Sequence, residues 1–197
     1  MSLYTSSYLT QLTDSNASLL SSRTRLFSES VKESATFDIF LSHSFLDRKE
    51  VLGIYIELTK LGFEVYVDWI VDPHLDRTNV TKTNAELVRK RMRSSKSLLL
   101  AMSSNAEMSK WIPWELGFVD GRTKKCALFP VSKSYAVSKT FERSQYLLLY
   151  PYIKRAAIDA YSEKTFVTES SNYYTEFDGW FKKDEVISYR TQNIDIL

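Results

Sequence analysis

FDIFLSHS, residues 37–44, is a short apolar run closed by small polar residues. Alone it does not separate strand from buried helix; its length and its surroundings do. From Asp47 to about Leu61 the apolar residues Val51, Leu52, Tyr55 and Leu58 fall on one helical face, and Gly62 breaks the pattern. LGFEVYVDW (61–69) then reads as a second strand, and IVDPHLDRTNV (70–80) as a polar, turn-rich connection. A helix is predicted from about Thr81 to Arg93, a third strand in KSLLLAMSS (96–104), and another helix in SKWIPWELGFVDG (109–121). CALFPV (126–131) and YLLLYPYI (146–153) supply a fourth and a fifth strand. These strands are continuous apolar runs, as burial on both faces requires. Regular alternation with helices predicts an α/β fold with a doubly wound, mainly parallel five-stranded sheet. Such sheets bind ligands beyond the carboxyl ends of their strands. Here those ends carry Ser42, His43, Ser44 and Phe45, then Asp68 and Trp69, then Ser103 and Ser104.

On either side the pattern is different. Residues 1–35 are rich in Ser and Thr, with Tyr4, Tyr8 and Leu12 at helical spacing. Asp14 and Ser15 are placed to cap a second helix carrying Leu19, Leu20, Leu26, Phe27 and Val31. A helical N-terminal arm is therefore expected over 1–35, and a C-terminal extension packed on the domain over 156–197. Within that extension TEFDGWFKK (175–183) suits a short amphipathic helix.

The totals narrow the function classes. A chain of 197 residues with 44% apolar content suits one domain with terminal extensions. A net charge of +2 makes no strong field for nucleic acid or an anionic membrane. The single cysteine, Cys126, excludes an intrachain disulfide and fits a reducing cytoplasm. Neither a signal peptide nor a membrane-length apolar run is evident. Glycine-loop phosphate cradles and a nucleophile elbow are missing, and His43 and His74 form no metal constellation. His43 could orient a ligand at a strand end, although a plain loop histidine is the commoner situation. The run Arg89, Lys90, Arg91 and Arg93 reads as a solvated helix end that complements the dipole.

SKWIPWELGFVDG carries the chemical question. Trp111 and Glu115 are four apart and share a helix face. From the residues alone, Trp111 and Trp114 can be core aromatics and Glu115 a solvated acid; equally, the segment can wall an active site.

In order along the chain, FDIFLSHS, GFEVYVDW, IVDPHLDRTNV and SKWIPWELGF resemble the boxes of a Toll/interleukin-1 receptor (TIR) domain over roughly residues 36–155. The resemblance implies a flavodoxin-like fold. VDWIVDPHLDR, KSLLLAMSSNAEMSKWIPWELGF and YLLLYPYI look like stand-alone bacterial TIR proteins, some of which belong to Thoeris anti-phage defence. There a TIR enzyme converts NAD into a signalling nucleotide that triggers an effector. The resemblance puts Glu115 on the catalytic glutamate and Trp111 on the tryptophan before it. It puts Ser42, His43, Ser44 and Phe45 where nicotinamide or its ribose is contacted, and Tyr66, Asp68 and Trp69 on the same wall. It implies NAD as substrate with no further cofactor or metal, self-association through TIR–TIR contacts, and no nucleic acid or membrane partner. Ser44 and Phe45 stand where some eukaryotic members have basic residues, so the phosphate contact falls to Arg77, Lys82 or a neighbouring protomer.

One carboxylate is enough for this chemistry. Ordinary glycosidases use two because an alkoxide leaving group must be protonated. Nicotinamide leaves NAD as a neutral base, so the site needs only to stabilise an oxocarbenium-like ribose and grip its hydroxyls. Hydrolysis, cyclisation and conjugation are all open outcomes. Two other readings stand beside this one: a non-catalytic adaptor acting through TIR–TIR assembly, and a deoxyribosyltransferase-like enzyme. A Glu115 that is salt-bridged and closed to ligand would favour the adaptor.

Overall fold

The computed structural model describes residues 2–18, 34–44, 46, 48–77, 81–103, 111–133, 145–158 and 162–192, with Ser44, Ser103 and Gln145 described by backbone alone. Four parallel strands make the centre: β2 (Phe37–Ser44), β4 (Ser95–Ser103), β5 (Cys126–Ser132) and β6 (Tyr152–Ala157). A short β3 (Val65–Tyr66) lies at one edge beside β2. The order β3-β2-β4-β5-β6 places the first central strand between the second and the third, as doubly wound flavodoxin-like sheets do. Leu98, Leu99, Leu100 and Ala101 of β4 are wholly buried, which is why that strand reads as an unbroken apolar run.

Local chemistry sets the helices. α2 (Arg48–Lys60) ends at Gly62, whose φ of +87° turns the chain into Phe63 and β3. Beyond Tyr66 the expected strand stops. The Val67 carbonyl accepts from Ile70 and Val71, and residues Asp68–Val71 form the single turn α3. α4 (Lys82–Arg93) starts at Thr81, whose side chain accepts from the Asn84 N–H at 3.1 Å. α5 (Ile112–Thr123) has Pro113 in its first turn and runs past Gly121 to Lys124, which closes it at φ 56°. Residues 146–149 of the expected fifth strand lie in a 3₁₀ turn (Gln145–Leu149) instead, and pairing begins at Tyr152.

The sheet does not stop at five strands. β7 (Glu163–Ser170), β8 (Tyr173–Glu176) and β9 (Ser188–Tyr189) add to β6 in antiparallel fashion. Helix α6 (Phe177–Lys182) falls within the predicted amphipathic stretch and sets Phe177 and Phe181 against Phe63, with centroids 5.1 and 4.8 Å apart.

The N-terminal residues are structural parts of the domain. β1 (Tyr4–Thr5) pairs in parallel with Val131 and Ser132 of β5, and Ser2 bridges to Arg155. The Tyr4 ring is 1% exposed, and its hydroxyl lies 2.9 Å from that of Thr165. α1 (Ser6–Ser15) contains Asp14 and Ser15 in its last turn, with Asp14 paired to Lys49 at 2.8 Å; the chain turns at Asn16, and Ala17 and Ser18 are helical again. Leu19, Leu20, Leu26, Phe27 and Val31 lie outside the described residues.

α1 lies against α2 through Gly53, where an added Cβ would run into the backbone carbonyl of Leu9. Gly53→Ala gains about 1 kcal/mol in helix propensity. The clash falls on backbone, which cannot rotate away, and overpacking typically costs ~1–3 kcal/mol. We expect a net loss of up to about 2 kcal/mol, read as a lower urea midpoint at unchanged slope. An unchanged midpoint would show that α1 moves away freely.

Candidate active site

In this strand order the ligand crevice lies beyond the carboxyl ends of β2 and β4, where the windings diverge. β2 brings Ser42 there, and the first turn of α5 brings Glu115. Both are buried, Ser42 at 1% and Glu115 at 0% exposure. Ser42 Oγ donates to Glu115 Oε2 at 2.6 Å. The other oxygen, Oε1, accepts from Arg77 Nη2 at 2.5 Å. Arg77 Nε lies 3.2 Å from Asp68 Oδ2, so one guanidinium serves two carboxylates. Trp111 tightens the group: its indole N–H donates to the Arg77 carbonyl at 3.0 Å, and its ring centroid lies 5.1 Å from the guanidinium carbon. An anion with a hydroxyl donor on one side and an aromatic wall on the other is arranged to stabilise a cation, provided Arg77 is elsewhere.

The remaining predicted residues divide. Asp68 is 6% exposed and accepts from the Trp69 N–H at 2.7 Å while holding Arg77. Trp69 is half-buried at the rim, with the Arg48 guanidinium 5.1 Å from its ring. His43 is half-buried, its Nδ1 3.4 Å from the Leu41 carbonyl. Ser44 ends β2, and Phe45 lies outside the described residues. Tyr66 is not on the wall. It stacks on Phe40 at 5.0 Å and is 1% exposed. Its hydroxyl donates to Asp72 Oδ2 at 2.9 Å, and burial, then Asp72 and Asp68, push that phenol well above its ordinary pKa. Lys82 points to solvent beside Glu86.

Sequence reasoning missed the support beneath the site. Arg91 was expected on a solvated face, but it is 5% exposed and grips Asp72 with Nε at 2.8 Å and Nη2 at 2.7 Å. The signal was present: Val88, Arg91 and Met92 share the buried face of α4. Arg89 and Arg93 lie over Trp114 and Phe118 at 5.7 and 6.0 Å, so part of this basic run covers aromatic surface. The Asp72–Arg91 pair ties down the loop that carries Arg77.

Among the described residues, no group of three or more His, Cys, Asp or Glu is gathered to hold a metal, and no helix is long and apolar enough to cross a membrane. Cys126 is buried, and burial pushes its thiol up to about 12.

No family model matches the chain. It is 44% identical over 149 residues to a Bacillus cereus (strain MSX-D12) protein named probable 3' cyclic ADP-D-ribose synthase ThsB', covering 75% of this chain and 77% of that one. It is 28% identical over 112 residues to a Cytobacillus dafuensis protein named putative cyclic ADP-D-ribose synthase TIR2, covering 56% of this chain but only 30% of the relative. With the strand order, the buried Glu115 and the extent of the first match together, the chain belongs to the Thoeris TIR protein family of that Bacillus cereus relative.

Proposed function

We propose that this protein is a cyclic ADP-ribose synthase. It cleaves the nicotinamide–ribose bond of NAD and closes the ADP-ribosyl fragment on itself, making a signal for anti-phage defence. The observation that carries the proposal is Glu115, a wholly buried carboxylate held by Ser42 at the sheet's switch point. The match to a relative named as a cyclic ADP-D-ribose synthase supports the same reading. Residues 36–155 are proposed as the unit that carries the chemistry.

As the C1″–N bond breaks, its electron pair goes to the nicotinamide nitrogen, which leaves neutral. The ribose becomes oxocarbenium-like, and Glu115 stabilises it and holds its hydroxyls. Ser42 fixes the carboxylate, while Trp111 and Trp69 exclude water from the flat ring. His43, Ser44 and Phe45 border the nicotinamide ribose, and Asp68 positions Arg77. A hydroxyl of the same dinucleotide then attacks C1″ and gives up its proton, so NAD⁺ yields cyclic ADP-ribose, nicotinamide and one proton. The relative's name points to a 3' linkage. NAD is the substrate, the protein self-associates through TIR–TIR contacts, and the product acts on an effector.

One observation favours the adaptor instead: Glu115 is ion-paired and has no exposed surface. The cover, however, is a loop arginine that is 22% exposed, not a core group, and so it can be displaced. Mass-resolved chromatography of NAD incubated with dilute and concentrated protein decides between the readings. Nicotinamide and a nucleotide one water lighter than ADP-ribose are expected. ADP-ribose alone would refute cyclisation, and no nicotinamide at either concentration would refute cleavage.

A further inference from the structure

The carboxylate needed for this reaction is covered by a cation. Arg77 Nη2 occupies Glu115 Oε1 at 2.5 Å, and Ser42 occupies Oε2. That is a poor arrangement for catalysis. A developing positive ribose gains from an adjacent carboxylate, and a guanidinium in contact with the same carboxylate cancels most of that field. Arg77 has to leave before Glu115 can act.

The closed arrangement is also incomplete. Among the described residues, Arg77 Nη1 is buried and has no hydrogen-bond partner. A buried donor left unpaired costs free energy that no other contact recovers. Asp68 holds Nε at 3.2 Å, so the side chain stays anchored if its tip lets go of Glu115. A group with several charged oxygens beside Asp68 would supply what this state lacks, an acceptor for Nη1 and a counter-charge for the released tip. The substrate proposed above carries such a group in its diphosphate.

We propose that Arg77 is a specificity-determining residue: it masks Glu115 in the free protein and is drawn off by the substrate's diphosphate. The carboxylate is then bared only for a nicotinamide ribosyl compound that brings phosphate. This rests on the assignment of Glu115 made above.

NAD and nicotinamide riboside share the scissile bond but not the diphosphate, so they separate the roles. The variant Arg77→Met keeps length and packing on Trp111 but loses the charge. For the wild type, kcat/KM should favour NAD by about a hundredfold or more. In Arg77→Met, riboside turnover should rise about tenfold while KM for NAD rises by a similar factor, so the preference collapses. Arg77→Lys should retain part of it. A variant in which kcat falls equally for both compounds would overturn the proposal, because Arg77 would then merely support the site.

A second measurement does not depend on turnover. Carbodiimide coupling of a small amine to Glu115, followed by mass spectrometry, should be slow in the ligand-free wild type and several-fold faster in Arg77→Met. Equal coupling would overturn the masking role. Different coupling with no nicotinamide from either protein would leave the mask standing and refute the cleavage reading, together with the substrate's part in lifting the mask.

Discussion

Replacing Glu115 with glutamine should lower nicotinamide release from NAD about a thousandfold or more. The substitution keeps the side chain's size and one acceptor for the Ser42 hydroxyl, and removes the charge. Losing a single preorganised group opposite developing charge typically costs ~10²–10³ in kcat. Here the whole anion is lost, in a site where Glu115 has no contact with solvent that could substitute for it. The measurement is single-turnover nicotinamide release at saturating NAD, with thermal melts of both proteins to establish that the variant is folded. Arg77 will still have Asp68 as its partner, so the guanidinium is not stranded. Glutamine activity within tenfold of wild type would end the assignment of Glu115 as the catalytic carboxylate.

Arg91→Met is the second large effect, and it falls on stability. The Arg91 and Asp72 side chains are 6% and 12% exposed, and their contact is a two-point fork. Removing the cation leaves a largely buried carboxylate with, among the described residues, only the Tyr66 hydroxyl, and breaking such a pair costs ~3–5 kcal/mol. For a chain of this size Tm should fall by about 10 °C. Adding Asp72→Asn should recover part of the loss, because most of it comes from the abandoned charge and not from the missing contact. Urea denaturation measures both. A single-variant loss below about 1 kcal/mol would put this pair among ordinary surface salt bridges.

How far the chain can be read in advance depends on the range of the forces involved. β2, β4 and β5 were legible because double burial demands apolar residues throughout. Thr81 and Pro113 start their helices for equally local reasons. The second strand was over-read. VYV has strand residues, but β3 is an edge strand, and the chain turns into α3 as soon as pairing with β2 ends. The antiparallel extension was obscured by its composition. β6 buries Lys154 at 1% exposure, and a lysine does not advertise a core position. At the site, Glu115 and Trp111 were legible through their spacing together with the family resemblance. Arg77 meeting Glu115 across 38 residues was not, because no periodicity links a loop to a helix. Tyr66 was ambiguous in principle, since an aromatic residue on a strand looks the same whether it packs or stacks.

The placement of β1 has a consequence for the order of assembly. Tyr4 is made long before its partners Val131 and Thr165, the latter 161 residues away. On a ribosome the slot beside β5 is therefore complete only after β5 and β7 have both emerged. Until then α1 can rest on α2, but Tyr4 and Thr5 have no strand to join, and until they join it the end of β5 presents unpaired backbone. Contacts of such long sequence separation form slowly, and open strand edges invite wrong pairing. Closure of this sheet is a late event by geometry, and the pairing of Tyr4 and Thr5 has to wait for strands made much later.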